Sequence, residues 1–447
     1  MTAIPLIGTR SSVKSAVGAE RSNQTPTIGV LYPSGWGNLG DEAILQTTFA
    51  ALRGRWPDVA LRAFTLHPAR TAANHGVEAE PLTGVNRHLF GAPLGEGPFL
   101  VRAARSLARR VRTIPLLGRF AGGASNLVAT IVFEMIALRR AWRWIRTADL
   151  VLASGGGQLD AVWGGAWGQP YALARWAWLA RRARVPFALL SVGYGGASNW
   201  LSRRFLRYAV GSAAYCSVRD AGSSAMTLQL GVQRKLPVVP DLAFGLTAPP
   251  ARPPRRPGFD IGVSPMVYLR PGSWPVEDQS GYDRLIELWA DLVTAIAARG
   301  DRVHLFVSNP GDMTAVRDIW ELLGEGTRTS CKIAQAESPN ALLEFFRGLD
   351  VVISSRLHGV LLAIVSARPV LALSHDRKVR AVMGDSGVSE FCVDLRTAKV
   401  DEVIRILQNL TDQLEPCAKR LRDYVETAST ALREQDDMLP QLLKRRG

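Results

Sequence analysis

The amino-acid sequence predicts an α/β protein with two Rossmann-like parallel-sheet domains that face a cleft. Short apolar runs alternate with amphipathic helical segments through both halves of the 447-residue chain, the pattern of parallel strands joined by helical crossovers. Several of the runs end directly in glycine-rich or polar turns, where such sheets bind ligands. A Pro/Arg-rich stretch, residues 248–258, breaks the pattern, and we interpret it as the interdomain linker because proline suits neither helix interiors nor central strands.

The first half, residues 27–247, is predicted to form the N-terminal domain. Residues 1–26 contain no apolar run of signal-peptide length, so we interpret them as a disordered leader and expect a cytoplasmic protein. Apolar runs predict strands, and 3.6-residue periodicity predicts helices. The strands expected here are 27–32, 59–66, 149–154, 187–192 and 215–218, and the helices are 43–56 and about 166–183.

The second half repeats this pattern over residues 259–415 and is predicted to be a second domain of the same kind. A C-terminal helix over 416–447 is expected to follow it. The predicted strands are 261–264, 303–307, 351–354 and 370–373, and the predicted helices are 282–299, 340–348 and 360–366.

The chain is strongly basic, with a formal net charge of +15 and a sequence pI of about 10.2. This charge favours an anionic partner, such as a phosphorylated substrate or an anionic lipid. A nucleic-acid partner is not expected, because the arginines accompany no recognisable reader motif. The four cysteines are widely spaced and form no C-x-x-C pair, so neither a disulfide framework nor a metal site is expected.

Residues 97–146 form a basic helical insertion in the first domain, with ten arginines and one acidic residue, Glu134. Its apolar stretch, 127–138, is shorter than the roughly 20 residues that a bilayer span needs. Two interpretations remain open. The segment rests on an anionic membrane surface, or it forms ordinary helices with their arginines in water.

A glycine-rich turn, GWGNLGDE at 35–42, separates the first predicted strand from the first helix. Its glycines permit a ligand to approach backbone N–H groups at a helix N-terminus. Asn38 and Asp41 are candidate functional residues there, although Asp41 could instead be the helix N-cap. The spacing matches neither the dinucleotide fingerprint nor the P-loop.

Two further glycine-rich loops follow strands of the same domain, and such loops can hold phosphate or carboxylate groups. Since the carboxyl ends of parallel strands share one edge of a sheet, we expect them to converge. The candidate binding residues in these loops are Gly156, Gly157, Gly193 and Gly195.

Arginine and histidine occupy strand ends in both halves. Arg219 follows the strand 215–218, and Arg356 and His358 lie in the turn between the strand 351–354 and the next helix. An anion there would meet guanidinium, imidazole and helix dipole together. The alternatives are a solvated arginine and a locally capping histidine.

Taken together and in order, these segments resemble the polysaccharide pyruvyl transferase family, with SVRD and SSRLHG as the most characteristic pair. The matching stretches are GNLGDEAI (37–44), ASGGGQ (153–158), SVGYG (191–195), SVRDAGSS (217–224), LGV (230–232), PDLAF (240–244), SSRLHGVLLAI (354–364) and PVLALSHDRKV (369–379). The positions that match functional motifs of the family are Asp41, Arg219, Arg356 and His358.

The resemblance implies transfer of a pyruvyl group from phosphoenolpyruvate to a saccharide, forming a ketal, in cell-surface polysaccharide biosynthesis. It implies phosphoenolpyruvate as donor substrate, no cofactor, and a saccharide acceptor that a lipid can carry. Arg219, Arg356 and Lys378 would bind the donor, with the glycine loops and Asn38. Our hypothesis makes His358 the acid and Asp41 the base, and the two roles could be exchanged.

Two alternatives belong to other functional classes. Two α/β halves with a linker also resemble the GT-B arrangement of glycosyltransferases, which use nucleotide-sugar donors. A basic, non-catalytic protein on the inner face of the plasma membrane would account for the charge alone.

Overall fold

A computed structural model describes residues 25–85, 115–162, 164–197, 199–250, 252–253, 257–274 and 276–443, with the backbone alone at 115–126. The predicted leader up to residue 24, the basic residues of 97–114 and part of the predicted linker therefore lie outside the described residues.

The N-terminal sheet has six parallel strands in the order β3-β2-β1-β4-β6-β8. The central strands β1, β4 and β6 are apolar and buried on both faces, as strands covered by helices on each side must be. A parallel pair, β5 and β7, lies beside the sheet. The strands are β1 (Thr27–Leu31), β2 (Ala60–Thr65), β3 (Glu78–Pro81), β4 (Leu150–Ser154), β5 (Leu159–Asp160), β6 (Phe187–Val192), β7 (Tyr194–Gly196) and β8 (Tyr215–Val218).

The C-terminal sheet repeats this topology in the order β11-β10-β9-β12-β13-β14, again with parallel pairs throughout. Both sheets thus have their first and fourth main strands at the centre, and their ligand-binding crevices lie at the carboxyl ends of these strands. The predicted fold class is confirmed. The strands are β9 (Asp260–Ser264), β10 (Arg302–Leu305), β11 (Cys331–Ile333), β12 (Val351–Ser354), β13 (Val370–Leu373) and β14 (Cys392–Val393).

Helices connect the strands of both sheets. No helix in the described ranges is long and apolar enough to cross a membrane. In the first domain they are α1 (Leu39–Arg55), α2 (Pro68–His75), α3 (Pro115–Ile145), α4 (Gln169–Ala183), α5 (Trp200–Ser212) and α6 (Ala221–Gln229). After the linker they are α7 (Gln279–Ala298), α8 (Met313–Leu322), α9 (Glu325–Thr329), α10 (Pro339–Arg347), α11 (Leu357–Val365), α12 (Arg377–Asp385), α13 (Val400–Asp412) and α14 (Leu414–Leu442).

One helix boundary differs from the sequence prediction in a way that affects the site. The helix predicted at 360–366 begins at Leu357, with Arg356 in the extended N-cap conformation. His358 therefore lies in the first turn of α11 and not in the turn before it. Apolar periodicity alone cannot locate this start, because the first helical turn contains the polar His358 and the small Gly359.

The last helix, α14, follows the second domain but packs on the first. Gln435 accepts hydrogen bonds from Ser217 and Tyr215 and donates one to Ser191. Tyr424 packs edge-on against Phe244, with ring centroids 5.2 Å apart. These contacts attach α14 to β6 and β8 of the first domain. The helix that follows the second domain in sequence therefore links it back to the first.

Direct contacts across the cleft also hold the domains close together. The Leu39 backbone N–H donates to the Ser308 carbonyl at 2.8 Å, and the Gln46 side chain donates to Asn340 at 2.9 Å. Both donors belong to α1, so the N-terminal part of this helix lies at the domain interface. The structure is therefore closed.

We expect Gln435→Leu to lower the free energy of unfolding by about 1–3 kcal/mol, because it leaves the buried hydroxyls of Ser191 and Ser217 without their partner. Gln408→Leu, on the exposed face of α13, should change it by less than about 0.5 kcal/mol. Urea unfolding of both variants measures the difference. Equal values would show that Gln435 does not anchor α14.

Candidate active site between the two domains

The turn between β1 and α1 positions a carboxyl group at the cleft. Asn38, not Asp41, is the N-cap of α1, and its side-chain oxygen accepts the Gly40 N–H at 3.1 Å. The alternative interpretation of Asp41 as the cap is therefore wrong. Asp41 lies in the first helical turn and accepts a hydrogen bond of 2.9 Å from the Tyr32 hydroxyl. The amide nitrogen of Asn38 is not used in this cap.

The glycines of the strand-end loops make room for functional side chains. Gly156 has a φ of +67°, and a methyl group at its Cα would collide with the Tyr32 hydroxyl. A methyl group on Gly193 would meet the Arg219 guanidinium, and one on Gly195 would collide with the Asp160 carboxylate. These loops therefore admit protein side chains, a role that the sequence interpretation as anion cradles did not foresee.

Arg219, at the end of β8, is buried and held by acidic groups. Its Nη1 donates to Asp241 at 3.0 Å, and its Nε lies 3.6 Å from Asp220. Asp241 is itself buried and accepts the Ala243 N–H. Nη2 is not used in these two contacts, so Arg219 keeps a donor edge for a further anion.

His358 lies at the interface between the two domains. Its imidazole lies against Gly40, where any Cβ would overlap the ring. The Nε2 atom is buried and has no hydrogen-bond partner among the described residues. The turn bearing His358 thus faces the loop bearing Asp41, and both open onto one cleft.

Arg356 precedes His358 and is oriented by a buried carboxylate. Its Nε and Nη2 each donate to Asp312 at 2.6 Å, and its guanidinium lies 5.6 Å from the ring centre of Trp274. His375 stacks on Tyr268, centroid to centroid at 3.8 Å, and meets Trp274 edge-on. Tyr268, Trp274 and His375 therefore form an aromatic cluster beside Arg356. Nη1 of Arg356 lies outside the bidentate pair with Asp312.

Lys378 extends from the second domain toward the first. Its Nζ lies 3.8 Å from the Asp160 carboxylate, and a methyl group on Gly157 would contact it at 3.9 Å. Arg219, Asp241 and Lys378 line one small cavity at the closed interface. Of the predicted binding residues, Lys378 is the one that bridges the domains by an ion pair.

Burial sets the protonation of the two candidate proton carriers. It raises the pKa of the Asp41 carboxyl to about 7, against the hydrogen bond from Tyr32, which lowers it. Burial also lowers the pKa of the His358 imidazole to about 4. The nearby charge of Asp241 opposes that second shift. Nearby cations reinforce it: Arg219, Arg356 and Lys378.

The cleft thus contains the predicted Asp41, Arg219, Arg356, His358 and Lys378 together with four residues that the site prediction missed. These are Tyr32, Asp160, Asp241 and Asp312. Asp241 lies in the matching stretch PDLAF, but its ion pair with Arg219 could not be predicted from the sequence spacing. Within the described residues no group of three His, Cys, Asp or Glu side chains is arranged to hold a metal ion.

A family model described as polysaccharide pyruvyl transferase matches residues 38–377, which include every residue of this site except Tyr32 and Lys378. The chain belongs to the polysaccharide pyruvyl transferase family. The resemblance drawn from the sequence motifs is confirmed. A comparison of this chain with curated proteins finds no significant match.

Several solved structures have folds similar to that of this chain. HepE from Anabaena, in complex with UDP, is 14% identical and aligns over 93% of this chain and 100% of its own, with a TM-score of 0.53. MnaA from S. aureus, with UDP, is 9% identical over 95% and 99%, with a TM-score of 0.52. The glycosyltransferase SnogD from Streptomyces nogalater is 17% identical over 92% and 98%, with a TM-score of 0.50. At these identities the likeness concerns the fold alone.

We expect Gly40→Ala to separate the domains at His358, because the added methyl group overlaps the imidazole. Gly54→Ala is the matched control in the same helix, since nothing lies within 4 Å of the added methyl group. The control should stabilise the protein by about 0.5–1 kcal/mol through helix propensity. Gly40→Ala should instead lower the thermal midpoint and increase the radius of gyration in solution scattering. Equal behaviour of the two variants would contradict the close contact.

Proposed function

We propose that this protein transfers the pyruvyl group of phosphoenolpyruvate to two hydroxyls of a saccharide, forming a ketal, in cell-surface polysaccharide biosynthesis. The observation that carries the proposal is the convergence of cations on one closed cleft. Three cationic side chains lie near His358, which is itself neutral at pH 7. A donor with both a carboxylate and a phosphate suits such a site.

The cations divide into two groups that match the two anionic ends of the donor. Arg219 keeps Nη2 and Arg356 keeps Nη1 outside their ion pairs with Asp241 and Asp312. Both guanidinium groups are fixed in place by those carboxylates, so little rotamer entropy is lost on binding. Lys378 supplies a compact point charge at the domain interface. We assign the carboxylate to the arginines and the phosphate to Lys378.

The pKa values of Asp41 and His358 support the exchanged assignment of acid and base. With a pKa of about 7, Asp41 retains a proton near neutral pH. With a pKa of about 4, His358 is an unprotonated imidazole with a free Nε2. We therefore propose Asp41 as the acid and His358 as the base, the reverse of the first assignment from the sequence.

The proposed reaction proceeds through four steps. Asp41 delivers a proton to the vinyl carbon, which becomes a methyl group and leaves the central carbon electrophilic. A saccharide hydroxyl attacks that carbon and gives its proton to His358. Phosphate then leaves with the C–O bonding pair and takes the proton from His358. A second hydroxyl of the same saccharide attacks the central carbon and gives its proton to the Asp41 carboxylate, which closes the ketal and restores both residues. Closure of the domains excludes water, which would otherwise release free pyruvate.

Nucleotide-sugar transfer is the second candidate, because the similar structures of HepE and MnaA are complexes with UDP. A saccharide acceptor is common to both candidates. The acceptor we propose is one that a lipid carries, with the protein at an anionic membrane surface. Incubation with phosphoenolpyruvate and a panel of nucleotide- and lipid-linked sugars, followed by phosphate release, tests the proposal.

Calorimetry should detect binding of phosphoenolpyruvate but not of UDP- or GDP-sugars. Lys378→Met removes one charge-assisted contact worth about 1.5–3 kcal/mol, so it should weaken donor binding at least tenfold. Lys419→Met is the matched control, since Lys419 is exposed on α14 and pairs only with Asp423 in the described structure. Tight binding of a UDP-sugar without binding of phosphoenolpyruvate would favour the glycosyltransferase.

The pH dependence of kcat/KM should be bell-shaped, with limbs near pH 4 and pH 7, because the active form holds one proton on the pair of Asp41 and His358. The wild-type profile is the same for either assignment, so the residual activity of His358→Gln decides. If Asp41 is the acid, that activity falls as the pH rises through about 7. A rise over the same range would identify Asp41 as the base.

A further inference from the structure

A groove of about 1140 Å³ lies between α4 and α5 of the N-terminal domain, apart from the residues of the cleft. Five of its fifteen lining residues are arginines, five are aromatic and none is acidic. The rest are small or apolar. The arginines are Arg175, Arg181, Arg203, Arg204 and Arg207, and the aromatic residues are Tyr171, Trp178, Trp200, Phe205 and Tyr208.

Helical periodicity in the sequence produces the groove. On α4, Trp178 and Arg181 follow Tyr171 at intervals of seven and three residues, so they share one face. On α5, Arg204 and Arg207 follow Trp200 by four and seven residues. The other faces of both helices pack on the sheet. Each helix therefore presents a stripe of aromatic and cationic side chains to the same groove.

Large aromatic surfaces on this face are in contact with water. Trp200 is 74% exposed, Trp167 54% and Trp178 47%. Exposed indole rings are costly in water but favourable at a membrane interface, where the ring meets the acyl region and the N–H meets the headgroups. Trp178 and Trp200 line the groove, and Trp167 packs against its lining residues Tyr171 and Phe205, with ring centroids 5.4 and 6.0 Å apart. Grouped exposed rings of this kind are typical of an interaction surface.

The arginines of the groove provide the second half of the pattern. Arg181, Arg203, Arg204 and Arg207 are exposed. In the part of the chain that the structure describes, none of the four pairs with a carboxylate within 4.0 Å. Their charges are therefore available to an anionic partner.

Helix α3 extends this surface beyond the groove. Leu127, Ile131 and Met135 are exposed at intervals of four residues, so they form one apolar stripe. Leu138, further along the helix, lines the groove itself. An apolar stripe next to aromatic rings and unpaired arginines is the composition of a surface that lies on anionic lipids.

We propose that the face formed by Trp167, Trp178, Trp200 and the four exposed arginines docks on an anionic phospholipid bilayer. The tryptophans enter the interfacial layer, and the arginines contact the lipid phosphates. Charge complementarity selects this occupant, since a neutral apolar partner would leave the arginines unpaired. The docking residues lie on α4 and α5, with Trp167 just before α4. They do not include the basic residues of 97–114.

The docked face also leads toward the cleft. Arg203 lines both the groove and a second depression with Tyr194 and Met226. The Met226 sulfur in turn contacts Arg377, the neighbour of Lys378 in α12. If the function proposed above holds, this arrangement delivers a lipid-carried saccharide from the membrane to the site. The docking itself does not depend on that function.

Flotation of the full chain with vesicles tests the docking independently of catalysis. We expect binding to vesicles of phosphatidylglycerol and phosphatidylcholine at physiological ionic strength, and none to phosphatidylcholine alone. Arg181→Gln combined with Arg204→Gln should lower the partition coefficient about 30-fold, from about 1 kcal/mol for each charge near the surface. Trp200→Ala should also weaken binding without changing the thermal midpoint.

The matched control is Arg317→Gln combined with Arg405→Gln, which removes the same charge from exposed positions on α8 and α13. It should bind anionic vesicles like the wild type. Equal losses in both double variants would reduce the effect to net charge and overturn the proposal. Lack of wild-type binding would overturn it as well, as would a dimer that Trp200→Ala dissociates, which would assign the face to a second copy of the chain.

Discussion

The contact between His358 and Gly40 is the constraint on which the site depends. His358 belongs to the first turn of a helix in one domain, and Gly40 belongs to the first turn of a helix in the other. A side chain at position 40 would overlap the imidazole, so this approach requires glycine. The contact brings two helix N-termini, each at the carboxyl end of a central strand, onto one cleft, and it buries the imidazole that accepts protons in the proposed reaction.

Burial of this contact has an electrostatic consequence. The cleft concentrates positive charge from Arg219, Arg356 and Lys378 around a neutral imidazole, while Asp41 holds its proton to about pH 7. In the proposed function this positive charge binds the anionic donor. The carboxylates of Asp241 and Asp312 orient Arg219 and Arg356. Each guanidinium group still has N–H donors outside its ion pair, and in the proposed function these donors bind the substrate.

Local patterns were sufficient to predict the two parallel sheets and the candidate loops, because apolar runs and glycine-rich turns act over a few residues. They could not identify Tyr32 or Asp312, whose partners Asp41 and Arg356 are nine and forty-four residues away along the chain. Local patterns also could not predict that α14 packs on the first domain, because Gln435 is polar and its burial depends on hydrogen bonds with Ser191 and Ser217. The glycines at 156, 193 and 195 were predicted as ligand-binding positions, and the structure shows that each leaves room for a protein side chain.

The central claim, that an acid in this cleft protonates the vinyl carbon of phosphoenolpyruvate, can be tested by running the transfer in deuterium oxide with an accepted saccharide. The exchangeable proton of Asp41 becomes deuterium, so the methyl group of the ketal should carry one deuterium. Mass spectrometry of the product measures this directly, and Asp41→Asn should abolish product formation. A product methyl group without deuterium, or phosphoenolpyruvate left unconsumed while a nucleotide-sugar is turned over, would contradict the account.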